Sequence, residues 1–570
     1  MTKKIIIIGG GIAGLTTAHE LLKKDLKVHL FESTSELGGL AKAIRNKDGI
    51  MEEYSWRGFG PFYNNFFDIL KQIPIYNKHK PFHPLLKNTD KPCAINNLTH
   101  NGINFITFKN NDTFMYSGAL EYTQLIKVSY DMLKYICSNK RREKYRNILL
   151  KDYIIENYNE HTYDVTVNHL AGACLGFNRN TVSIDTIVDT VTKVLIHSNM
   201  DSSSIWRNTT RPTNEAIFDP WLIHLMSYEN FNVYFNSSLI TINKDNNNII
   251  TSLTININGE TQNIHGDEYI ISINPFNLQD ILVSSNLFSL ASQNYKVINK
   301  SVNNQVSFRI GFNKHVNYHK ENAGFTFLDS DLNITIYPVE MAWDSDVRLD
   351  NEGNIKSLWS GTAVDTLTII PKYKKIGNEL TREELIEEII DEIFISKSFN
   401  DYIYKYNNYN ITRNDICYIE LYKEYKYING ALENIDNKKW VNNIFNQEFL
   451  MDQRTEYDNL YLGGAHTKTT LNKYSMEAAT ESGKIIANHI LTKYNQENCY
   501  RYVFDNRYLY QIDDVLYAMN CPNIIDIITL FIVLVIIIIL YHHKNTIIKY
   551  IKNKQLYVSK NISRITGINK

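Results

Sequence analysis

The chain has 570 residues, enough for two or more domains and a large core. Its 60 Lys and Arg against 61 Asp and Glu leave a net charge of -1, which excludes the basic footprint of a nucleic-acid-binding protein. Cys93, Cys137, Cys174, Cys417, Cys499 and Cys521 lie far apart with no C-x-x-C, a spacing that suggests a reducing compartment and neither a zinc site nor a disulfide framework, and no metal is expected.

Lys4 to Ile8 is a short apolar run that reads as a strand. It meets Gly9-Gly10-Gly11-Ile12-Ala13-Gly14 and an Ala/Leu-rich helix ending at Leu22, then a second strand, Lys27 to Phe31, closed by Glu32. Strand, glycine turn, helix, strand and acid in that order form a dinucleotide cradle. Gly9 permits the tight turn, Gly11 lets the backbone approach a pyrophosphate, and Gly14 lets helix and strand pack closely. The amides of Ile12 and Ala13 open the helix and face the phosphates. Glu32, 18 residues after Gly14, can accept from a ribose hydroxyl, and an acid there favours an unphosphorylated ribose. The glycines alone do not separate FAD from NAD.

Gly38-Gly39 and the Lys47-Asp48-Gly49 turn precede an aromatic stretch containing Trp56, Phe59, Phe62, Tyr63 and Phe66. That stretch suits either the wall of an apolar channel or a core corner beside the nucleotide domain. Residues 118–200 read mostly helical, and residues 231–274 switch to period two. The expected strands there are Phe231 to Phe235, Leu239 to Ile242, Ile249 to Ile257 and Tyr269 to Ile273. Residues 300–370 are strand-rich. Thr381 to Ile395 is an amphipathic helix whose Thr381 and Glu384 form a capping box. Tyr457 to Leu462 is a strand ending at Gly463-Gly464, and Ser475 to Leu491 a helix with small residues at Ala478, Ala479, Ser482 and Gly483. Those small residues either let a flat ring approach the backbone or pack the helix against a neighbour.

Residues 524–541 are almost wholly apolar and long enough, at roughly 27 Å, to cross a bilayer core. Lys544, Lys549, Lys552, Lys554, Lys560, Arg564 and Lys570 follow with no acid, which suits anionic headgroups. The expectation is a single-pass C-terminal membrane helix with the catalytic domain in the cytosol, because no signal peptide precedes the first strand. The positive-inside rule pulls the basic tail to the cytosolic side as well, and an interfacial placement would reconcile the two.

The N-terminal block, the Arg211-Pro212-Thr213 to Asp219-Pro220-Trp221 segment with its following strands, and residues 459–487 together resemble the flavin amine oxidase superfamily. Within it they are most similar to the plant- and cyanobacterial-type phytoene and ζ-carotene desaturases, through Thr467-Lys468 and Ser475-Met476-Glu477 above all. The resemblance implies an α/β fold, a Rossmann-like FAD-binding domain interrupted by a mixed α+β substrate domain. The expected division is FAD-binding at 1–85, 206–290 and 446–495, a helical insertion at 86–205, and a substrate domain at 291–445. A linker at 496–523, the span at 524–541 and the basic tail at 542–570 complete it. The resemblance further implies non-covalent FAD, with Gly9, Gly11 and Gly14 at the pyrophosphate beside Gly38 and Gly39, and Glu32 at the ribose. Leu239 would meet adenine through its backbone, Gly464 the ribityl chain, and Ser475 and Met476 the isoalloxazine.

Flavin accepts a hydride from carbon, so the expected activity is dehydrogenation of an apolar, isoprenoid-like small molecule. Amine oxidation and a redox-neutral flavoprotein remain the competing readings. Against the amine reading, Ser475 replaces the aromatic that amine oxidases of the superfamily place before the Met-Glu pair. Arg57 is a candidate for polarising substrate or steadying reduced flavin, unless it pairs with Glu52 or Glu53. His466 is a candidate proton shuttle, unless it only bonds its loop. Oxygen and a quinone both remain open as electron acceptor.

Overall fold

The computed structural model describes residues 2–75, 92–99, 103–109, 120–198, 206–298, 305–319, 323–422, 425–428, 431–434, 447–471, 473–505, 507–545, 548–550 and 554. Of the basic tail, Lys552, Lys560, Arg564 and Lys570 lie outside the described residues. The chain divides into two compact units.

The first unit comprises 1–124 and 145–506. Its nucleotide-side sheet has five parallel strands in the order Leu460–Leu462, Glu268–Ile271, Lys4–Ile8, Lys27–Phe31, Phe231–Tyr234. The Ile5–Ile8 run suits the centre of such a sheet, because both faces are covered and alternate side chains feed opposite cores. Ile5 and Ile7 join the core beneath the helices Ile12–Leu22 and Met476–Lys493. Ile6 and Ile8 join the core that includes Ile242, Leu253 and Leu278. A three-stranded antiparallel sheet follows, Ser237–Lys244, Ile250–Ile257 and Glu260–Ile264. The expected strands begin and end within a few residues of these bounds, and the third is additional to them.

A six-stranded sheet runs in the order Ile416–Leu421, Val306–Phe312, Ser357–Ala363, Ile334–Pro338, Ala323–Phe327, Asn104–Phe108. Its last pair is parallel, because its edge strand comes from a distant part of the chain. Helices Arg382–Phe394 and Lys397–Asn407 close one face of it over a core rich in Phe and Ile. Thr381 accepts from the Glu384 amide at 3.2 Å and donates its own amide to that side chain at 2.9 Å, which is the expected capping box.

The second unit comprises 125–144 and 507–570. Its elements are the Tyr122–Ile136 helix from Leu125 onward, a short Asn139–Arg142 turn, the helix Tyr510–Ala518 and the helix Ile524–His542. The last is 19 residues long, apolar enough to cross a membrane, and buries none of its apolar window.

Candidate active site

A cleft of about 490 Å³ opens in the first unit where the Lys4–Ile8 strand ends. Gly9 turns the chain at φ +102°, where an added Cβ would collide with the Ser272 carbonyl. Gly14 carries no Cβ because one would strike the Gly9 carbonyl, so it sets the closeness of strand and helix. Gly11 is different. A Cβ there would meet only the Gly39 Cα, 4.0 Å away, so its missing side chain leaves open space in the cleft. Gly11 is also the N-cap of the Ile12–Leu22 helix and offers no side-chain acceptor. The first-turn amides at Ile12 and Ala13 are therefore ready for an anion.

Gly38 and Gly39 complete the cradle with positive φ, and the Gly38 amide donates to the Gly10 carbonyl at 2.9 Å. Glu32 is buried and already holds this turn together. Its Oε2 accepts from the Gly10 amide at 2.8 Å, and its Oε1 from the amide and hydroxyl of Thr34 at 2.9 Å. Acceptor capacity remains on Oε2 for a ribose hydroxyl. Leu239 lines the cleft where its strand slips register against Ile250–Ile257.

The opposite wall comes from the 464–479 segment. Gly464 has φ +139°, and an added Cβ would sit 2.6 Å from the His466 ring. His466 is buried, its Nε2 has no hydrogen-bond partner among the described residues, and desolvation lowers its pKa to about 4. It is therefore a neutral imidazole at neutral pH. The Ser272 hydroxyl, also on the cleft, is likewise buried without a partner. Ser475 caps the Met476–Lys493 helix by accepting from the Ala478 amide at 3.2 Å, and Met476 and Ala479 face the cleft. Gly483 instead meets the Ala13 backbone, and Thr17 donates to the Gly483 carbonyl at 3.2 Å. The small-residue face thus serves both ends: Ala479 looks into the cleft, while Gly483 lets two helices touch.

The Arg57 guanidinium lines the cleft and donates to the Leu40 carbonyl at 2.6 Å and the Ser55 hydroxyl at 2.9 Å. Glu53, one of the two partners that sequence allowed for it beside Glu52, instead pairs with buried Arg309 at 3.2 Å. The aromatic stretch divides. Phe59, Phe62, Tyr63 and Phe66 are core, and of these only Tyr63 also lines the cleft, together with Trp56.

Sequence reading missed Lys473. It is buried on the cleft wall, with Nζ 5.7 Å from the ring centres of Phe62 and Phe177, and has no ion-pair partner among the described residues. Desolvation lowers its pKa to about 8. Its position three residues before Met476 was the available signal, but only packing makes a loop lysine a buried one. Among the residues lining the cleft, Glu32 is the sole carboxylate, against Lys42, Arg57 and Lys473.

An open glycine cradle, an uncapped helix N-terminus, a turn acid and two orphaned polar atoms together fit a dinucleotide. A family model described as an NAD(P)-binding Rossmann-like domain matches residues 7–73. The ζ-carotene desaturases of Capsicum annuum and Arabidopsis thaliana are 37% and 34% identical over 70 residues. Each match covers 12% of this chain and 12% of the relative. Among solved structures, putrescine oxidase superposes with a TM-score of 0.57 at 12% identity, covering 86% of this chain and 99% of that one. Cyclohexylamine oxidase from Brevibacterium oxydans gives 0.56 at 10% identity, covering 87% and 100%. The likeness to these amine oxidases is one of fold, and the matched relatives and neighbours bear the names of oxidoreductases.

Proposed function

We propose that the protein is a membrane-anchored, FAD-dependent oxidoreductase that dehydrogenates an apolar, isoprenoid-like substrate. The observation that carries this reading is the composition of the cleft. It joins a nucleotide cradle to walls of Trp56, Tyr63, Leu40 and Leu175, and its one carboxylate, Glu32, belongs to the cradle, bonded to the turn and facing the ribose position. A cationic amine finds no free carboxylate there, whereas a neutral hydrocarbon finds apolar surface.

In this reading the Ile12 and Ala13 amides hold the pyrophosphate of FAD, Glu32 meets the adenosine ribose and Leu239 the adenine. Gly464, Ser475 and Met476 border the isoalloxazine. Bound FAD supplies hydride acceptance from carbon. Arg57 is held in place by backbone carbonyls, so its charge is available to offset negative charge that develops in the cleft. His466, neutral and with Nε2 unpartnered among the described residues, offers one hydrogen bond there and no charge. The Ile524–His542 helix tethers the enzyme to the bilayer in which such substrates dissolve, with the flavin domain on the cytosolic side.

The test is anaerobic flavin bleaching by carotenes or squalene derivatives in detergent, against simple primary amines. Reduction by the isoprenoids supports the reading. Reduction by amines alone rejects it in favour of amine oxidation.

A further inference from the structure

The second unit carries two apolar stripes beside the span. On the Tyr122–Ile136 helix, Leu125, Ile126 and Leu133 are exposed at 47, 60 and 48%. On the Tyr510–Ala518 helix and its end, Ile512, Val515 and Met519 are exposed at 51, 59 and 66%. The first set recurs at seven- and eight-residue spacing and the second at three, four and seven, so each lies within one helix face. Other positions of the two helices are used internally: Tyr135, Ile136 and Asp513 are buried.

The start of the Ile524–His542 helix is clamped to these two helices. Asp526 accepts from the Tyr130 hydroxyl at 2.7 Å and pairs with Lys134 at 3.1 Å. Asp513 accepts from the Ile524 amide at 2.9 Å and pairs with Arg141 at 2.9 Å. Asn523 caps the span and donates to the Lys134 carbonyl at 3.2 Å. A carboxylate resists entry into hydrocarbon, so Asp526 marks the headgroup level and holds Tyr130 and Lys134 there. Ile126 lies four residues from Tyr130, roughly 6 Å along the helix. Leu133 adjoins Lys134. The same segment, 125–144, carries Lys127, Lys134, Lys140, Arg141, Arg142 and Lys144 against Asp131 and Glu143. That excess of positive charge complements an anionic leaflet.

We infer that the Leu125/Ile126/Leu133 and Ile512/Val515/Met519 stripes form an interfacial collar that enters an anionic bilayer beside the span. The occupant of this surface is lipid, because both stripes are tied to a wholly exposed span and the first is flanked by Lys127, Lys140, Arg142 and Lys144, cations not spent on the Asp513 and Asp526 pairs. The inference rests on the anchor reading for its depth scale. Burial of such faces is roughly 5–10 Å below the headgroup boundary.

The test places an environment-sensitive dye, through a bioorthogonal residue, singly at Ile126, Val515 and Val533 of the full chain in phosphatidylcholine/phosphatidylglycerol vesicles. Lipids with a nitroxide at a shallow acyl position serve as quenchers. The collar requires a blue shift and loss of about half or more of the emission at Ile126 and Val515. Water-like, unquenched emission at both positions overturns the collar, whatever Val533 shows. Quenching at Val533 with none at Ile126 and Val515 leaves the anchor standing without a collar. Quenching at the collar positions with water-like, unshifted emission at Val533 supports the collar and removes the span. A fourfold variant, Ile126→Glu with Leu125→Glu, Ile512→Glu and Val515→Glu, should lose the blue shift of a dye at Leu133 while flavin content stays unchanged.

Discussion

Gly11→Val separates cofactor binding from folding more sharply than any other change in the cradle. The added Cβ points into open space, with the Gly39 Cα 4.0 Å away, so the backbone need not move. Gly11 has φ -78° and ψ 178°, extended backbone that valine adopts readily. The cost to the empty protein is that of a poor helix N-cap, about 1 kcal/mol. The cost to FAD is larger, because the two valine methyls occupy the space through which a pyrophosphate reaches the Ile12 and Ala13 amides. A hydrogen bond to a charged group contributes about 1.5–3 kcal/mol, so loss of two weakens FAD by about 3–6 kcal/mol, or roughly 10² to 10⁴-fold. The assay measures flavin per polypeptide in the purified variant and thermal unfolding of the flavin-stripped wild type and variant. Wild-type flavin content in Gly11→Val would refute the assignment of this turn. A collapse of the stripped variant's melting temperature would refute the claim that the space is free. Gly14→Ala is the contrast: its Cβ meets the Gly9 carbonyl, so it should damage the fold itself.

Lys473→Met should stabilise the flavin-free protein at pH 7. Burial lowers the lysine from 10.5 to about 8, so the unfolded chain holds its proton more tightly and stability rises as pH climbs from 8 to 10.5. Below pH 8 the full penalty applies, about 3 kcal/mol at most, and urea unfolding at pH 7 and 9.5 should show the wild-type rise disappear in the variant. An unchanged pH slope would place the lysine in water. Thr381→Ala removes the capping box of the Arg382–Phe394 helix and should cost about 1 kcal/mol by the same unfolding measurement, with no change in flavin content. Acid precipitation should release flavin into the supernatant, and colour retained in the pellet would mean a covalent link. Ending the chain after Asn520 should abolish carbonate-resistant membrane association and leave the protein yellow, and a truncate that resists carbonate extraction would move the anchor elsewhere.

The cradle was legible in the sequence because it is local. Gly9, Gly11, Gly14 and Glu32 lie within one strand–turn–helix–strand unit, where spacing alone dictates geometry. The same is true of the Thr381 capping box and of the apolar run at 524–541, each decided by neighbours a few residues apart. Tertiary structure decided everything that depends on distant partners. It joined the Asn104–Phe108 strand to a sheet built mostly from residues 306–421. It split the aromatic stretch, keeping Phe59, Phe62 and Phe66 off the cleft while placing Trp56 and buried Tyr63 on its wall. It gave Glu53 to Arg309 and set Arg57 on backbone carbonyls. It dehydrated Lys473 and His466, whose residue types alone imply a charged lysine and a titrating histidine. The physical reason is one of range: turn geometry and helix capping act over a few residues, whereas desolvation and ion pairing depend on what the rest of the chain brings alongside.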